Sequence, residues 1–464
     1  MSAIKLFLIC MEKKMIKPGF LIVVGLIFLS LFSCTDKQSF QYQTSNEVKK
    51  LLKTNPVYPD AKFIVLSDLH FYDKRLGTTG KAFQEYLDDD RKLLVLSDEI
   101  ISAAVERIIK EKADFILISG DMTKDGEKIN HQGAVKALKK LETSGANLYV
   151  VPGNHDINNS ESVKYMGDIT TPVPTINDKE FKTMYHEFGY KEALYKDSHS
   201  LSYVAEPVKG LWVLALDSCR WKENKPSEHP VTDGAFSNQT LEWIESQLIL
   251  SKKQKKAVIV LLHHGIMEHY PANEKYYGGY VIDESESISK LFAAYGVRLV
   301  FTGHFHAQDI TKKEFKDSDD FIFDIETGSL VTAPCPYRII QISKGHKASI
   351  KSKFIDSIPS QDNLTDYAYQ YVFDGTITMA NAKLDKFKVS KEQQPLITRQ
   401  ISKAYCAHLL GDEKKPEVTI NKEGFGKWLT FIAWMQKDLI NGWWTDLPPK
   451  DNNLTINLNT GDVF

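Results

Sequence analysis

The sequence contains few cysteines, and their spacing matches neither a disulfide scaffold nor a cysteine-based zinc site. Five occur among 464 residues, and they lie far apart along the chain. A disulfide scaffold needs an even set at short spacing and a zinc ribbon needs paired CxxC motifs, so both classes of protein are excluded. A single disulfide between Cys219 and Cys335 is the alternative that the spacing leaves open. The five are Cys10, Cys34, Cys219, Cys335 and Cys406.

An excess of charge of either sign is also missing. The chain has 58 basic and 60 acidic side chains, which gives a formal net charge of −2. Proteins that bind nucleic acid without sequence preference carry a strongly basic domain or stripe, so this function is excluded as the main one. The chain is 42% hydrophobic and 25% charged. This composition is typical of globular proteins, and the length predicts two or three domains.

Long apolar runs are scarce, and the most prominent one lies near the N-terminus. Three lysines precede the run from residue 20 to residue 32, in which Gly25 and Ser30 are the only residues that are not apolar. A transmembrane helix needs about 18 to 20 such residues, so this run is too short to span a bilayer. The layout predicts an export signal instead.

A cysteine opens the polar stretch that follows this run. Leu31-Phe32-Ser33-Cys34 resembles a bacterial lipoprotein box, whose cysteine becomes the lipid-modified first residue of the mature protein. We therefore predict a signal over residues 1–34, lipidation at Cys34, and an exported protein anchored by lipid in the bacterial cell envelope. The alternative is a cleaved secretory signal with an incidental Cys34. Translation from Met15 rather than Met1 would give either signal a shorter basic start.

Predicted strands and helices alternate from residue 61 onward. Short apolar runs separated by amphipathic stretches predict a βαβαβ order up to residue 151, and the same alternation resumes from 211 to 301. Between 321 and 354 the strand-like runs follow one another with no clear helix between them. The pattern predicts an α/β fold with a mixed sheet, or with two sheets packed face to face and flanked by helices.

A polar stretch from Ile358 to Asn363 predicts a domain boundary. We therefore divide the chain into an N-terminal linker over 35–60, an α/β domain over 61–357 and a smaller, mostly helical domain over 358–464. The last domain contains two predicted helices, of which Gly442 ends the second, and a loose or extended tail from Pro448. Its tryptophans are predicted to pack in a core or between domains, with a ligand platform as the alternative. They are Trp428, Trp434, Trp443 and Trp444.

Short polar motifs follow five of the predicted strands. Ligands bind at the carboxyl ends of the strands in α/β sheets, so these motifs are expected to converge. Each motif alone is weak, but the ordered occurrence of all five is rare by chance. The motifs are Asp68-Leu69-His70, Ser119-Gly120-Asp121, Gly153-Asn154-His155-Asp156, His263-His264 and Gly303-His304-Phe305-His306.

The side chains of these motifs are carboxylates, a carboxamide and imidazoles, without a thiolate. This set suits Mn, Fe, Zn, Co or Ni. It is large enough for two ions, which lie about 3.5 to 4 Å apart when a carboxylate bridges them. Two such ions can share a hydroxide that attacks phosphorus while both neutralise the developing charge. The sequence therefore predicts a dinuclear metal centre.

The ordered motifs resemble those of the calcineurin-like metallophosphoesterase superfamily over roughly residues 62–354. The resemblance implies a sandwich of two mixed β-sheets flanked by helices. It also implies metal-dependent hydrolysis of phosphoesters with two divalent or trivalent ions, each Mn, Fe or Zn. It assigns Asp68, His70 and His306 to the first metal, Asp121 as the bridge, and Asn154, His263 and His304 to the second metal.

Two further residues receive roles from the resemblance. His155 steadies the transferring phosphoryl oxygens or protonates the leaving oxygen. Asp156 is a candidate for the carboxylate that orients His155, with the capping of a turn as its alternative. Spacing does not separate His263 from His264, because neighbours on a strand point to opposite faces. Relatives with similar His-His segments use the first histidine, which favours His263.

Departures from the superfamily pattern narrow the subfamily. No tyrosine follows Gly120-Asp121, where purple acid phosphatases place a metal ligand, and the Asp-Arg-Gly of phosphoprotein phosphatases is also absent. The remaining similarity is to bacterial class III cyclic nucleotide phosphodiesterases with a helical C-terminal domain. We predict a phosphodiesterase that acts on small or cyclic nucleotides. The alternatives are a general phosphomonoesterase for exported nutrient phosphates and a non-catalytic anchored binding protein. The C-terminal domain is expected to shape access to the metals.

Overall fold

The computed structural model of this chain describes residues 39–54, 56–343 and 346–464. The predicted signal and Cys34 lie outside the described residues. Among those described, no helix combines the length and the apolar composition that crossing a bilayer requires. The strands are β1 Ala61–Leu66, β2 Phe115–Ile118, β3 Asn147–Val150, β4 Val163–Met166, β5 Ile169–Pro172, β6 Tyr195–Lys196, β7 Tyr203–Val208, β8 Leu211–Ala215, β9 Ala257–Leu261, β10 Leu299–Thr302, β11 Asp309–Glu314, β12 Phe321–Glu326, β13 Pro336–Ser343, β14 Lys347–Phe354 and β15 Asn453–Asn457.

The strands form two large mixed sheets and one hairpin. The first sheet has the order β15-β14-β13-β1-β2-β3, and the second has the order β11-β12-β10-β9-β8-β7-β6. Strands β1, β2 and β3 are parallel, as are β8, β9, β10 and β12, and the outer strands pair antiparallel. Strands β4 and β5 pair only with each other. The predicted α/β class with two mixed sheets is confirmed.

The two sheets pack face to face and helices cover their outer faces. Phe63 of the first sheet meets Phe301 of the second edge to face, with ring centroids 5.3 Å apart. In β9, Ile259 belongs to the core between the sheets, whereas Val258 and Val260 contact the helices outside. The strands read as continuous apolar runs because both of their faces are buried.

The helices are concentrated between the strands of the sandwich and after residue 360, which confirms the predicted helical C-terminal region. The first two of them occupy the segment predicted as a linker. The helices are α1 Gln41–Thr44, α2 Asn46–Leu51, α3 Lys81–Asp88, α4 Ser97–Glu111, α5 Lys128–Leu138, α6 Asp178–Met184, α7 Asn238–Lys253, α8 Asn273–Tyr277, α9 Ser285–Ala294, α10 Leu364–Lys386, α11 Gln394–Leu410, α12 Lys427–Met435 and α13 Lys437–Trp443.

The segment predicted as a linker is docked on the second sheet's helical layer. Phe40 is buried, and the backbone N–H groups of Gln41 and Tyr42 donate to the Glu245 carboxylate at 2.9 and 3.0 Å. The Tyr295 hydroxyl donates to the same carboxylate at 2.9 Å. The carboxylate thus serves as the acceptor for a helix start, a role that the sequence around residue 40 does not reveal.

The C-terminal region differs from its prediction in three details. The tail is not loose, because β15 pairs antiparallel with β14 at the edge of the first sheet. Gly442 lies inside α13 instead of ending the helix, and a Cβ at this position would lie 2.6 Å from the Pro271 carbonyl oxygen. Trp443 is buried as predicted, whereas the core prediction is wrong for Trp428 and Trp434, which are 50% and 56% exposed.

Candidate metal centre

The seven residues predicted as metal ligands lie together between the two sheets' carboxyl edges. Asp68, His70, Asp121 and His306 each offer a ligand atom, and these atoms all lie within 4.8 Å of one another. Asp121, His263 and His304 form a second group by the same measure. The Oδ1 atom of Asn154 lies 3.0 Å from His263 Nε2, which places it at the second group. Asp121 is shared by both groups.

Five of these side chains leave the backbone at unusual dihedral angles. Asp68, His70, Asp121, His304 and His306 all have positive φ values, between 37° and 77°. L-residues adopt this left-handed region rarely, at a cost of about 1–3 kcal/mol each. Each strand therefore ends in a sharp reversal that points the next side chains into the centre, and the packed sandwich provides the free energy for it.

Two glycines are required because ligand side chains occupy the space beside them. A Cβ on Gly153 would lie 2.0 Å from Asp121 Oδ1, and a Cβ on Gly303 would lie 1.8 Å from Ser67 Oγ and 2.5 Å from Asp68 Oδ2. Separations this short are not possible between atoms that are not bonded. The glycines of two sequence motifs thus make room for the carboxylates of two others.

Backbone carbonyls fix which nitrogen of each histidine faces the centre. The Nδ1–H groups of His70 and His263 point to the Thr123 and Ser119 carbonyls at 3.1 and 2.7 Å, which leaves both Nε2 atoms turned inward. His304 uses Nε2 toward the Gly279 carbonyl at 3.3 Å, so its Nδ1 is available. Second hydrogen bonds of this kind orient histidines that bind metals.

The geometry separates His263 from His264 and turns His263 toward the centre, as the resemblance predicts. Both ring nitrogens of His264 are engaged elsewhere, Nδ1 with the Ser218 hydroxyl at 2.8 Å and Nε2 with the Thr232 carbonyl at 2.9 Å. Residue 264 is also outside both groups of converging ligand atoms. The side chain of His263 therefore faces the centre, and that of His264 supports the neighbouring loop.

The centre contains buried carboxylates that nearby positive charge would stabilise. Burial and the nearby carboxylates of Asp68 and Asp156 raise the pKa of Asp121 well above its usual value. Burial opposes ionisation of Asp68 as well, yet His306 and the other donors around it lower its pKa to about 2. The Oδ1 atom of Asp68 is buried, and among the described residues His306 Nε2 lies 3.3 Å from it without forming a hydrogen bond. Bound cations would satisfy this oxygen and remove the repulsion, so the donor set fits a dinuclear metal centre.

His155 borders the centre without joining either ligand group. Its Nε2 atom lies 3.9 Å from Asp121 Oδ2, and its side chain is 25% exposed, so this nitrogen can meet a substrate. Its Nδ1 atom lies 2.7 Å from Asp125 Oδ1. The carboxylate that orients His155 is therefore Asp125 and not the candidate, Asp156.

Asp156 instead holds the loop that carries Asp121. Its carboxylate accepts the backbone N–H groups of Gly153, Met122 and Thr123 at 2.9 to 3.1 Å, and the Thr123 hydroxyl at 3.0 Å. This is the turn-capping alternative. The role of Asp125 could not be predicted from the sequence, because its spacing does not show that the turn after Asp121 folds back toward His155.

A buried cluster behind Asp125 keeps that carboxylate ionised. The Lys124 ammonium bonds to Asp125 Oδ2 and lies 3.5 Å from Glu127 Oε1. It also lies 4.0 Å from the centre of the Tyr86 ring. Burial alone would raise the pKa of Asp125, but Lys124 and His155 hold it below its usual value. Asp125 is thus a permanent acceptor for the His155 ring.

The centre opens into a cavity of about 590 Å³. Its lining includes Asp121, Asn154, His155, His304 and His306 together with side chains of the four C-terminal helices. The C-terminal region therefore forms a wall of the cleft that reaches the metals, in the position that the sequence analysis expects. Among the described residues, it contributes no side chain to either group of converging ligand atoms at the centre.

Two solved structures and one curated relative are similar to this chain. A dimetal phosphatase from Danio rerio has a TM-score of 0.44 and 14% identity, covering 65% of this chain and 97% of its own. The purple acid phosphatase PPD1 from yellow lupin (Lupinus luteus) has a TM-score of 0.37 and 10% identity, covering 65% and 52%. The uncharacterized metallophosphoesterase-like protein YydB of Bacillus subtilis (strain 168) is 23% identical over 296 residues. That region is 58% of this chain and 53% of YydB, so the chain spans about half of this relative's length.

A family model described as calcineurin-like phosphoesterase matches residues 61–308. The match begins at the first residue of β1 and ends two residues after His306. It therefore contains every side chain of the two ligand groups, and it leaves the C-terminal helices outside.

Proposed function

Because the chain belongs to the calcineurin-like phosphoesterase family, whose members hydrolyse phosphoesters with bound metals, we propose that it is a two-metal phosphodiesterase. The observation that carries the proposal is the pair of ligand groups that share Asp121. In this proposal Asp68, His70 and His306 hold the first ion, and Asn154, His263 and His304 hold the second. When bound, the two ions supply an activated water and neutralise the charge that develops on the phosphoryl oxygens.

The proposed role of His155 is to give a proton to the leaving oxygen. Its Nδ1–H donates to the ionised Asp125, so a proton on Nε2 makes the ring an imidazolium that the carboxylate stabilises. Burial and the Lys92 ammonium lower the pKa of His155, which makes this imidazolium a stronger acid than a histidine in water. The position of Nε2 at the border of the ligand groups suits transfer to a substrate oxygen.

The charges around the centre support a diester rather than a monoester. A monoester carries one more negative charge and needs cationic side chains that are available to it. Lys92 lines the cavity but pairs with Asp90 at 3.0 Å, and Lys124 is paired with Asp125 and Glu127.

Arg91 also lines the cavity, and its guanidinium donates to the Asp88 and Asp90 carbonyls. Lys383 lies on the wall formed by the C-terminal helices, and burial lowers its pKa to about 7, which reduces its charge. The general phosphomonoesterase is therefore the second candidate. The resemblance to class III enzymes adds small or cyclic nucleotides as substrates to compare.

The experiment uses residues 35–464, loaded separately with Mn, Fe and Zn. Hydrolysis is compared for a phosphodiester, a phosphomonoester and the 2′,3′- and 3′,5′-cyclic nucleotides. Asn154→Ala is the negative control, because in this proposal Asn154 is a ligand of the second ion only. Diester turnover that disappears in this control supports the proposal. Turnover of the monoester alone, or equal rates with and without Asn154, would contradict it.

We also propose that the protein is exported and held in the bacterial cell envelope by a lipid on Cys34. Support comes from the sequence alone, in the lysines, the apolar run and the lipoprotein-like box. One acyl chain gives only marginal membrane binding, so stable anchoring needs more than one chain. A Cys34→Ser variant expressed in bacteria should move from the membrane fraction to the soluble fraction. An unchanged distribution would rule out the lipid anchor.

A further inference from the structure

Two chemically different sets of side chains line the cavity at the metal ligands. The metal ligands and His155 form a polar set. The second set comes from α10, α11, α12 and α13, and most of its members are hydrocarbon. We call this region the apolar arm, and its apolar members are Met379, Ala380, Leu384, Phe387, Ile397, Ile401, Ile432, Leu439 and Ile440.

Few polar groups of the C-terminal helices interrupt the apolar arm, although residues 89–92 add charged side chains to the same cavity. Lys92 pairs with Asp90 at 3.0 Å, and Arg91 donates to the Asp88 and Asp90 carbonyls. Lys383 is the only charged residue that the described C-terminal helices contribute to the wall, and Thr376, Tyr405, Gln436 and Trp443 supply the other polar atoms. Small-molecule sites of about 300–1,000 Å³ combine such apolar walls with a few polar groups that fix orientation. Here the polar groups are the metal ligands, so the apolar arm has to hold a different part of the same ligand.

We propose that the substrate is a phosphodiester with a hydrocarbon substituent, whose phosphate lies at the metals and whose chain fills the apolar arm. This inference rests on the proposed phosphodiesterase function and names its substrate class. A nucleoside in the arm would lose the hydrogen bonds that its base makes with water, because the wall offers few partners. A hydrocarbon chain loses none and gains burial.

The reaction is a hydrolysis that needs no further reactant. Water gives an OH group to phosphorus and the P–O bond to the leaving alcohol breaks. The remaining proton ends on that alcohol's oxygen, through His155. The products are a phosphomonoester and an alcohol, and no group is oxidised or reduced.

The test is a series of p-nitrophenyl alkyl phosphates with methyl, butyl and octyl groups, each kept at monomeric concentration, together with the p-nitrophenyl ester of thymidine 5′-phosphate. Residues 35–464 are used with saturating metal. Each buried methylene contributes up to about a fourfold gain in binding. We therefore expect kcat/KM to rise at least about tenfold from methyl to octyl, and octyl to exceed the nucleoside ester.

A variant that fills the arm provides the structural control. Ile401 lies on the cavity wall, whereas Leu396 of the same helix is 37% exposed. Ile401→Trp should remove most of the preference for octyl over methyl, and Leu396→Trp should leave both that preference and the turnover of the methyl ester unchanged. Turnover that is independent of chain length, or fastest with the nucleoside ester, would overturn the inference and leave the phosphodiesterase proposal standing. No turnover of any diester would refute the phosphodiesterase proposal itself.

A second inference comes from a different cluster, buried where the C-terminal helices meet the second sheet. Asp309, His408 and Glu413 offer ligand atoms within 4.8 Å of one another. His408 Nε2 and Glu413 Oε2 are buried, and neither has a hydrogen-bond partner within the described part of the chain. The two side chains are 1% and 0% exposed. His408 Nδ1 lies 2.8 Å from Glu413 Oε1, so each side chain has one paired and one unpaired polar atom. The two unpaired atoms in this dry site are costly unless something binds them.

A buried cation next to this cluster is His269, whose Nδ1 lies 2.7 Å from Asp309 Oδ1 and whose pKa, despite burial, is raised by Asp324 and Asp309. Apart from its contact with His408, Glu413 pairs with no such cation in the described part of the chain, and acidic side chains surround it. Asp412, Asp446 and Asp451 form an adjacent acidic group that repels Asp309 and Glu413. The buried Arg338 donates to backbone carbonyls and to Ser352 rather than to these carboxylates. The geometry points to a third divalent cation held by Asp309, His408 and Glu413, which joins the end of α11 to the start of β11.

Metal counting tests this site without relying on activity. The unchanged chain and Glu413→Gln are each loaded with Mn²⁺, Zn²⁺ or Ca²⁺ and then freed of excess metal. For at least one of these three ions, the unchanged chain should retain one more equivalent of metal than Glu413→Gln. Glu417→Gln, an exposed change in the same loop, should match the unchanged chain. Equal metal content in the unchanged chain and Glu413→Gln for all three ions would overturn the inference. If Glu413→Gln does not fold, His408→Asn provides the same comparison.

Discussion

The bond between Asp125 and His155 leads to a prediction that depends on the leaving group. Asp125→Asn keeps the shape of the side chain and removes the charge that stabilises the imidazolium. A hydrogen bond to a charged group contributes about 1.5–3 kcal/mol. If that amount is lost only in the transition state, kcat falls roughly 10- to 150-fold. The substitution does not alter any atom of the two ligand groups.

The assay compares two diesters that differ in the alcohol they release. An alkyl alcohol leaves only with a proton, so its release should show the full loss. p-Nitrophenol leaves as an anion, so its release should fall by less than about fivefold. Metal content should stay unchanged. An equal loss for both leaving groups would refute the proton-donor role of His155, and so would no loss for either.

Stability needs a matched control, because Asp125 also pairs with the buried Lys124. Breaking a buried ion pair costs about 3–5 kcal/mol, and Glu127 offsets part of it here. Glu127→Gln removes the other carboxylate of the same cluster without a contact to His155. Glu127→Gln should lower Tm about as much as Asp125→Asn does. It should leave unchanged the ratio between the hydrolysis rates of the alkyl-releasing and the p-nitrophenol-releasing diesters. A changed ratio in Glu127→Gln would show that the cluster, and not the bond to His155, controls the leaving group.

Three further outcomes are expected. Gly153→Ala should weaken metal binding by about 10- to 100-fold, since the new Cβ lies 2.0 Å from Asp121 Oδ1, and retention of both ions in titrations would contradict this. His263→Asn should lose one equivalent of metal while His264→Asn keeps it, and equal losses would reject the assignment. Burial lowers the pKa of Lys383 from 10.5 to about 7. The unfolded chain therefore binds this proton up to a higher pH, so the free energy of unfolding should rise from pH 7 to pH 10, and Lys383→Met should flatten that rise in urea titrations.

The metal ligands were accessible to sequence analysis because of how parallel strands are arranged. Asp68, Asp121 and Asn154 follow β1, β2 and β3, whose carboxyl ends share one edge, so side chains far apart in sequence are expected to meet. His263 and His304 follow strands of the second sheet in the same way. The two large sheets follow from the same alternation of apolar runs and amphipathic helices.

The contacts that could not be predicted from the sequence depend on how irregular segments fold. Asp156 follows His155 directly in the sequence, whereas Asp125 is 30 residues away. The reversal of the loop after Asp121 brings Asp125, and not Asp156, to the His155 ring. The docking of Phe40 depends on a carboxylate in α7, about 200 residues away. Trp428 and Trp434 occupy helical positions like those of buried residues, yet within the described part of the chain both stay at least half exposed, although the Trp428 indole donates to the Phe387 carbonyl.

Because β15 pairs with β14, the C-terminal helices lie in the chain between two neighbouring strands of the first sheet. The two strands are neighbours in the first sheet, so α10 to α13 form the connection of one very long hairpin rather than an appendage. During synthesis the first sheet reaches its full width only when residues 453–457 have left the ribosome. A chain truncated after residue 360 would expose the edge of β14, and unpaired edges invite aggregation. The cavity wall and the edge strand of the first sheet therefore both depend on residues after 360, so losing this region would disrupt the two together.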